Sequence, residues 1–327
     1  LLIFIIIISA YLWFEDMMLP VNRSNPEEVE IEIKQGMRGK DIAALLEEKG
    51  LIKSADLIYY LMRIKQINNL KTGYYTFSTA DSPYYILDIL DKGLESDFIF
   101  TVPEGYTVRQ IIDRLTGLDK PTYQAAELES AFDEYAESVE FEENPHLDES
   151  VIESAEGLII PDTYNFPMSY NEDKIARELI DRFKEQRLPL LKEQAEESDF
   201  SAYQLLIIAS LIEEEGTLSE ENKIIASVIY NRLELGQKMQ LDATVQYILP
   251  ERKDRLFYKD LDIDSPYNTY QVEALPPAPI ANPGELALEA AINPAETDYL
   301  YYFARPDGSH VFTKTYQEHL DRQNELR

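Results

Sequence analysis

The 327-residue chain has no cysteine, which excludes disulfides, zinc-thiolate sites, iron–sulfur clusters and thiol nucleophiles together and leaves the redox character of its compartment open. Bases are scarce. Thirty Lys and Arg stand against 61 Asp and Glu, a formal charge of −31 that repels a phosphate backbone and excludes nucleic acid as a partner. There are only three His and one Trp. The opening apolar run, residues 1–14 (LLIFIIIISAYLWF), falls short of the roughly 20 residues that cross a bilayer. What is present is globular: 45% hydrophobic residues with 22 Tyr and 13 Phe exclude disorder throughout, and the length suits about two domains.

The run at 1–14 is uncharged, carries Trp13 near its end and is followed at once by Glu15 and Asp16, a pattern that belongs in lipid. A truncated transmembrane anchor is expected there. The apolar region of a cleaved signal peptide is the alternative, although no small-residue cleavage site follows. Either reading puts the body outside the cytoplasm. Residues 15–28 are short, polar and proline-containing, as a tether would be.

The body starts with the alternating Val29-Glu30-Ile31-Glu32-Ile33, a strand, and with Asp41 opening a helix that puts Ile42, Leu45 and Leu46 on one face and stops at Gly50. A weak second copy lies 69 residues on, with Ile99 to Val102 strand-like, Gly105 matching Gly36, Ile111 matching Ile42 and Leu115 matching Leu46. One strand and one helix cannot bury an apolar face alone, so the two copies predict a small α+β region. Residues 121–160 hold 12 acidic residues and no Lys or Arg, which reads as a solvated acidic insertion or a helix-rich acidic lobe.

The C-terminal half reads as mostly helical. Ser201 and Gln204 form a capping box that starts a helix at Ala202, ended by Gly216; Ser219 is expected to cap a second helix with Ile224, Ile225, Val228, Ile229 and Leu233, closed by Gly236. Asn282-Pro283-Gly284-Glu285 is a third helix start. Tyr299 to Phe303 and His310 to Thr313 read as strands joined by the turn Pro306-Asp307-Gly308.

In the first of these helices Leu205, Leu206, Ile208, Ala209 and Ile212 form an apolar stripe, and Glu213 follows Ala209 by four and Leu206 by seven, so a carboxyl points with the buried face. Desolvation there raises its pKa, the condition a general acid needs. The competing reading is that Glu213-Glu214-Glu215 is a fraying acidic helix end. Further on, Asn231-Arg-Leu, Gln240-Leu-Asp242-Ala-Thr244, Tyr267-Asn268-Thr269-Tyr270, Leu275-Pro-Pro and Gly308-Ser-His310-Val-Phe are polar or rigid clusters between apolar helices. Tyr faces and amides suit a sugar polymer.

These motifs, in the order Leu206-Ile-Ile-Ala-Ser-Leu-Ile-Glu213-Glu-Glu215, Asn231-Arg-Leu, Gln240-Leu-Asp-Ala-Thr244, Tyr267-Asn-Thr-Tyr, Leu275-Pro-Pro-Ala-Pro-Ile-Ala and His310-Val-Phe, resemble the YceG-like (MltG) family of endolytic murein transglycosylases. The resemblance extends to Val102-Pro-Glu-Gly-Tyr-Thr107 and Glu156-Gly-Leu-Ile-Ile-Pro-Asp162-Thr-Tyr, and so covers nearly the whole chain. It departs at Asp242-Ala-Thr244, where members often have Asp-Pro-Thr, and in the acidic stretch before Ile160.

The resemblance implies an α+β protein: an anchor at 1–14, a linker at 15–28, a LysM-like module at 29–97, and a mainly helical catalytic domain with a small sheet at 98–327, the acidic insertion within it. It implies a single-pass protein of the bacterial inner (cytoplasmic) membrane, its catalytic part facing the periplasm. Its substrate would be peptidoglycan glycan strands, its neighbours penicillin-binding synthases, and no cofactor or metal would be needed. Glu213 would protonate the oxygen between N-acetylmuramic acid and N-acetylglucosamine and then, ionised, draw the proton from the muramyl C6 hydroxyl as it closes onto C1 in a 1,6-anhydro end. Gln240, Asp242, Thr244, Tyr267, Asn268, Thr269 and His310 are the substrate-side candidates, with Glu215 and Asn231 in support. Glu215 lies about 200° around the helix from Glu213 and cannot share its cleft centre. His146 and His319 are expected at the surface. Two other classes remain open: a non-catalytic glycan-binding scaffold, and a lysozyme-like hydrolase, which needs a second carboxylate.

Overall fold

The computed structural model describes residues 2–67, 70–141, 154–216 and 218–326. The chain forms two compact units, Leu1–Phe100 with Asn165–Tyr170, and Thr101–Tyr164 with Asn171–Arg327. The class is α+β with two-stranded sheets.

The first unit opens with helix α1 (Leu2–Met17), whose Ile, Leu and Phe side chains are exposed along nearly its whole length, while Phe14 and Met17 pack on the unit's core. Among the described residues no helix is long and apolar enough to cross a membrane. Then come β1 (Glu28–Ile33), α2 (Gly39–Glu48), α3 (Ala55–Lys65), β2 (Gly73–Ser78) and α4 (Pro83–Lys92). Strands β1 and β2 pair antiparallel, with Val29 opposite Phe77 and Ile31 opposite Tyr75. Alternation puts Ile31, Ile33, Tyr75 and Phe77 on one buried face, against Ile42 and Leu46 of α2. Helix α2 begins two residues before Asp41, which instead closes a capping box by accepting the Arg38 N–H at 3.0 Å.

The second copy of the strand–glycine–helix pattern is present in β3 (Asp97–Val102), Gly105 and α5 (Val108–Thr116). Gly36 and Gly105 both have positive φ, +87° and +73°, and Ile42, Leu46, Ile111 and Leu115 are all buried. The two copies do not form one small sheet, however. β1 pairs with β2, and β3 pairs with a later strand, β4 (Asp162–Pro167).

The acidic stretch is not solvated throughout. Helix α6 (Ala125–Glu137) buries Leu128, Ala131, Phe132 and Ala136 and packs on α7 (Glu172–Gln186), and at the other end Ala155, Leu158 and Ile159 are fully buried. Its acids follow the outer face of an amphipathic helix, so charge and core coexist. His146 lies outside the described residues.

Helix α8 (Leu188–Ala195) leads into α9 (Ala202–Glu215), which starts with the expected reciprocal cap: Gln204 N–H to Ser201 Oγ at 3.2 Å and Ser201 N–H to Gln204 Oε1 at 3.0 Å. The expected apolar stripe is replaced by burial on all sides. Every residue from 205 to 212 is buried, as α8, α10 (Asn222–Glu234), α11 (Asp242–Ile248) and α13 (Glu285–Ile292) surround the helix. Ser219 does not cap α10; it sits in a 3₁₀ turn, Ser219–Glu221, and the cap position is Glu221. A short α12 (Tyr258–Leu261) lies in the irregular stretch before α13. α13 is capped by Gly284, not Asn282, because the Asn282 side chain is engaged elsewhere. The expected hairpin forms as β5 (Tyr301–Ala304) and β6 (His310–Thr313), followed by α14 (Tyr316–Glu325). His319 of α14 is not a free surface side chain: it packs among the rings of Tyr301, Phe303 and Tyr316.

Candidate active site

The three acids that end α9 point to three different partners, as successive steps of about 100° require. Glu213 is half-buried and its Oε2 accepts the backbone N–H of Gly284 at 2.9 Å. Glu214 pairs with Arg252 at 3.1 Å. Glu215 accepts the Tyr302 hydroxyl at 3.0 Å and a backbone N–H from Ala243. The end of the helix is therefore pinned, not frayed.

Burial pushes the Glu213 carboxyl above the usual carboxylate range; Glu104 and Glu214 push the same way, while the Gly284 N–H and Arg187 pull it down. Glu104 reaches it across a glycine: a Cβ on Gly284 would lie 2.2 Å from Glu104 Oε1, so only a residue without a side chain lets both carboxyls flank this point. Gly105 is a second such contact, where a Cβ would stand 3.3 Å from Glu214 Oε1 and 3.8 Å from Glu213 Oε1. Beside Gly105 opens a cleft of about 490 Å³ lined by Glu214, Glu156, Tyr247, Gln246, Arg252 and Ile280, among others. Glu213 stands next to this cleft through Gly105.

Residues 282–284 are held from three sides. Asn282 is fully buried: its Nδ2 donates to Tyr106 O (2.8 Å) and Glu156 Oε1 (3.2 Å), its Oδ1 accepts from Ile159 N–H (2.8 Å), and its backbone pairs with Gly105 and Tyr106. The buried guanidinium of Arg187 donates to Pro283 O at 2.5 Å. Glu156 accepts the Val108 N–H at 3.1 Å as well as the Tyr247 hydroxyl, and its burial pushes its pKa up to about 8. The Gly284 N–H that meets Glu213 is therefore fixed by a buried network.

The expected substrate-side residues divide. Gln240 is exposed, in a left-handed backbone conformation at φ +54°, and Asp242 is exposed and accepts the Tyr270 hydroxyl at 2.5 Å. Tyr267 is half-buried, its ring 5.2 Å from that of Tyr247 at the cleft. Thr244, Asn268 and Thr269 have no exposed surface. Thr244 and Thr269 share a hydroxyl pair at 2.9 Å, and Asn268 donates to Leu261 O and Ile263 O, tying the loop before α13 to α11. His310 is likewise internal: its Nδ1 lies 2.7 Å from Glu221 and its ring meets Tyr302 edge-on. Asn231 donates to Thr297 O and Tyr299 O, fastening α10 to the chain ahead of β5.

The sequence assigned no part in the site to Glu104, Glu156, Arg187 or Tyr247, and marked Asn282 only as a helix start. A signal was there: Glu104-Gly105 and Glu156-Gly157 are the same dipeptide, and both glycines have positive φ. Among 61 acids it did not stand out.

The model of the YceG-like family matches residues 31–325. An endolytic murein transglycosylase of Bacillus subtilis is 34% identical over 96% of this chain and 89% of its own length. Its namesake from Streptococcus pneumoniae is 30% identical over 98% of this chain, which spans 63% of that longer protein. The crystal structure of a yceG-like protein from Listeria monocytogenes superposes with a TM-score of 0.62 at 32% identity, covering 93% of this chain and all of that one. Family model, sequence relatives and solved fold agree along the same length of chain, and the chain belongs to the YceG-like family.

Proposed function

We propose that this protein is an endolytic murein transglycosylase, a lyase that opens the bond between N-acetylmuramic acid and N-acetylglucosamine inside glycan strands, with Glu213 as acid and then base. The observation that carries the assignment is the half-buried Glu213 carboxyl, held by one backbone N–H and with its pKa raised by burial and by the neighbouring Glu104 and Glu214. A carboxyl in that state donates its proton to the bridging oxygen as positive charge grows at the muramyl C1. Left ionised, with the Gly284 N–H on one oxygen, it takes the proton from the C6 hydroxyl that closes onto C1. No water enters the bond.

Tyr267 and Tyr247 at the cleft offer ring faces for pyranose C–H surfaces, with Gln240 and Asp242 exposed nearby in sequence on the α11 approach. Glu215, Thr244, Asn268, Thr269 and His310 act by holding the end of α9, α11 and the hairpin in place. The order β1-α2-α3-β2 with an antiparallel pair supports a LysM-like module in the first unit. The exposed apolar surface of α1 supports attachment to the cytoplasmic membrane with the body on its wall side, where penicillin-binding synthases deliver new strands.

Glu213→Gln is expected to abolish the release of 1,6-anhydro muropeptides from purified sacculi, with the fold intact by circular dichroism. Anhydro products at the wild-type rate would move the acid elsewhere. Binding of sacculi by the wild type without any new ends would leave the scaffold reading.

A further inference from the structure

One cavity of the first unit reverses the charge of the molecule. About 840 Å³ in volume, it is lined among the described residues by 14, four of which are Lys34, Arg38, Lys40 and Arg63 and none of which is Asp or Glu, in a chain with two acids for every base. Its floor is apolar, with Met37, Ile42, Tyr59 and Met62. Gly36 and Gly39 line it too, and no side chain there shields the backbone. A concave site with cations of one sign focuses field toward an anion. Two of the four cations have carboxylate neighbours outside the cavity lining, Lys34 with Glu32 at 3.5 Å and Arg38 with Asp41 at 3.1 Å. These pairs are exposed, and such pairs are worth about 0–1 kcal/mol, so a ligand carrying several carboxylates can compete for the same cations.

We propose that this groove binds the peptide stems of murein through their carboxylates, and so docks the strand by its peptides while the second unit handles the sugar. Cations separated by apolar floor fit a ligand whose carboxylates are spaced by carbon, as in a short acidic peptide. A phosphodiester polymer has no use for Met37, Tyr59 and Met62. The proposal rests on murein being the substrate, and not on the role of Glu213.

The test uses the full chain carrying Glu213→Gln, so that binding is read without cutting. A fluorescein-labelled murein tetrapeptide is titrated in, beside the same peptide with its carboxylates amidated, a chito-oligosaccharide and a glycerol phosphate polymer. The expected result is saturable binding of the acidic peptide that weakens with salt, falls at least tenfold on amidation and at least tenfold in Lys40→Glu/Arg63→Glu. The milder Lys40→Gln/Arg63→Gln replaces it if that variant fails to fold. Equal affinity for the amidated peptide, no loss in either double variant, or tighter binding of the glycerol phosphate polymer overturns the proposal. Sacculus digestion by the otherwise unaltered chain is scored separately, so a failed catalytic reading leaves its own mark: no anhydro ends, with peptide binding retained.

Discussion

Replacing Glu156 with Gln should make the protein more stable as pH rises, and the size of the gain follows from where the carboxyl sits. Glu156 is 4% exposed, and burial raises its pKa from 4.5 to about 8. Below pH 4.5 both the folded and the unfolded chain hold the proton and the site carries no penalty. Between pH 4.5 and 8 only the unfolded chain releases it, so native stability falls with pH by about 1.4 kcal/mol per unit, reaching about 3 kcal/mol at pH 7 and about 5 kcal/mol above pH 8. Gln has the shape of the neutral acid. Its oxygen can accept from Val108 and Asn282 as Oε1 does, and its amide can donate to the Tyr247 oxygen. Urea unfolding of both proteins at pH 4.5, 6, 7 and 8.5 reads the difference. It should be small at the acid end and widen in favour of Glu156→Gln toward pH 8. A difference that stays flat, or that favours the wild type at pH 8.5, would mean the carboxylate is ionised and stabilised by its three donors, and the burial argument fails.

Other outcomes are expected from the same geometry. The rate of anhydro-end formation should fall as pH rises through the elevated pKa of Glu213; Glu104→Gln, which removes a repelling charge, should move that limb to lower pH, and Arg187→Gln, which removes an attracting one, should move it to higher pH. Gly157 has φ +82°, and a Cβ there would stand 2.6 Å from Pro279 Cγ, so Gly157→Ala should cost about 2–4 kcal/mol in thermal or urea unfolding. Thr244→Val removes a buried hydroxyl that bonds Leu241 O and Thr269, and should cost about 1–3 kcal/mol. If Thr244 instead touched sugar, KM would rise with stability unchanged.

The parts of the fold that depend on local chemistry were legible in the sequence. Ser201 and Gln204 bracket the start of α9, Pro306-Asp307-Gly308 turns the hairpin, and the paired glycines Gly36 and Gly105 mark the two strand–helix turns. Parts that depend on distant partners were not. An apolar stripe on α9 presumes solvent on the other side, and the helix is enclosed by four others, so the environment of Glu213 is set by Gly284, 71 positions away. Polar residues read as ligands for sugar, such as Asn268 and Thr244, turned out to satisfy buried backbone, because a long irregular loop packed inside a domain must find donors and acceptors for its own peptide groups. Asn282 looked like a helix cap for the same reason that it serves as a clamp: a short amide can both donate and accept.

The central claim is that one carboxyl gives its proton to the leaving glycosidic oxygen and takes another from the C6 hydroxyl that closes onto C1, without water. Digesting purified sacculi with the wild-type protein in ¹⁸O-labelled water and weighing the muropeptides tests it in one step. The claim predicts anhydro-muramyl ends that are lighter by one water and carry no label, and their loss in Glu213→Gln. Labelled reducing ends would mean that water attacks C1, and would contradict it.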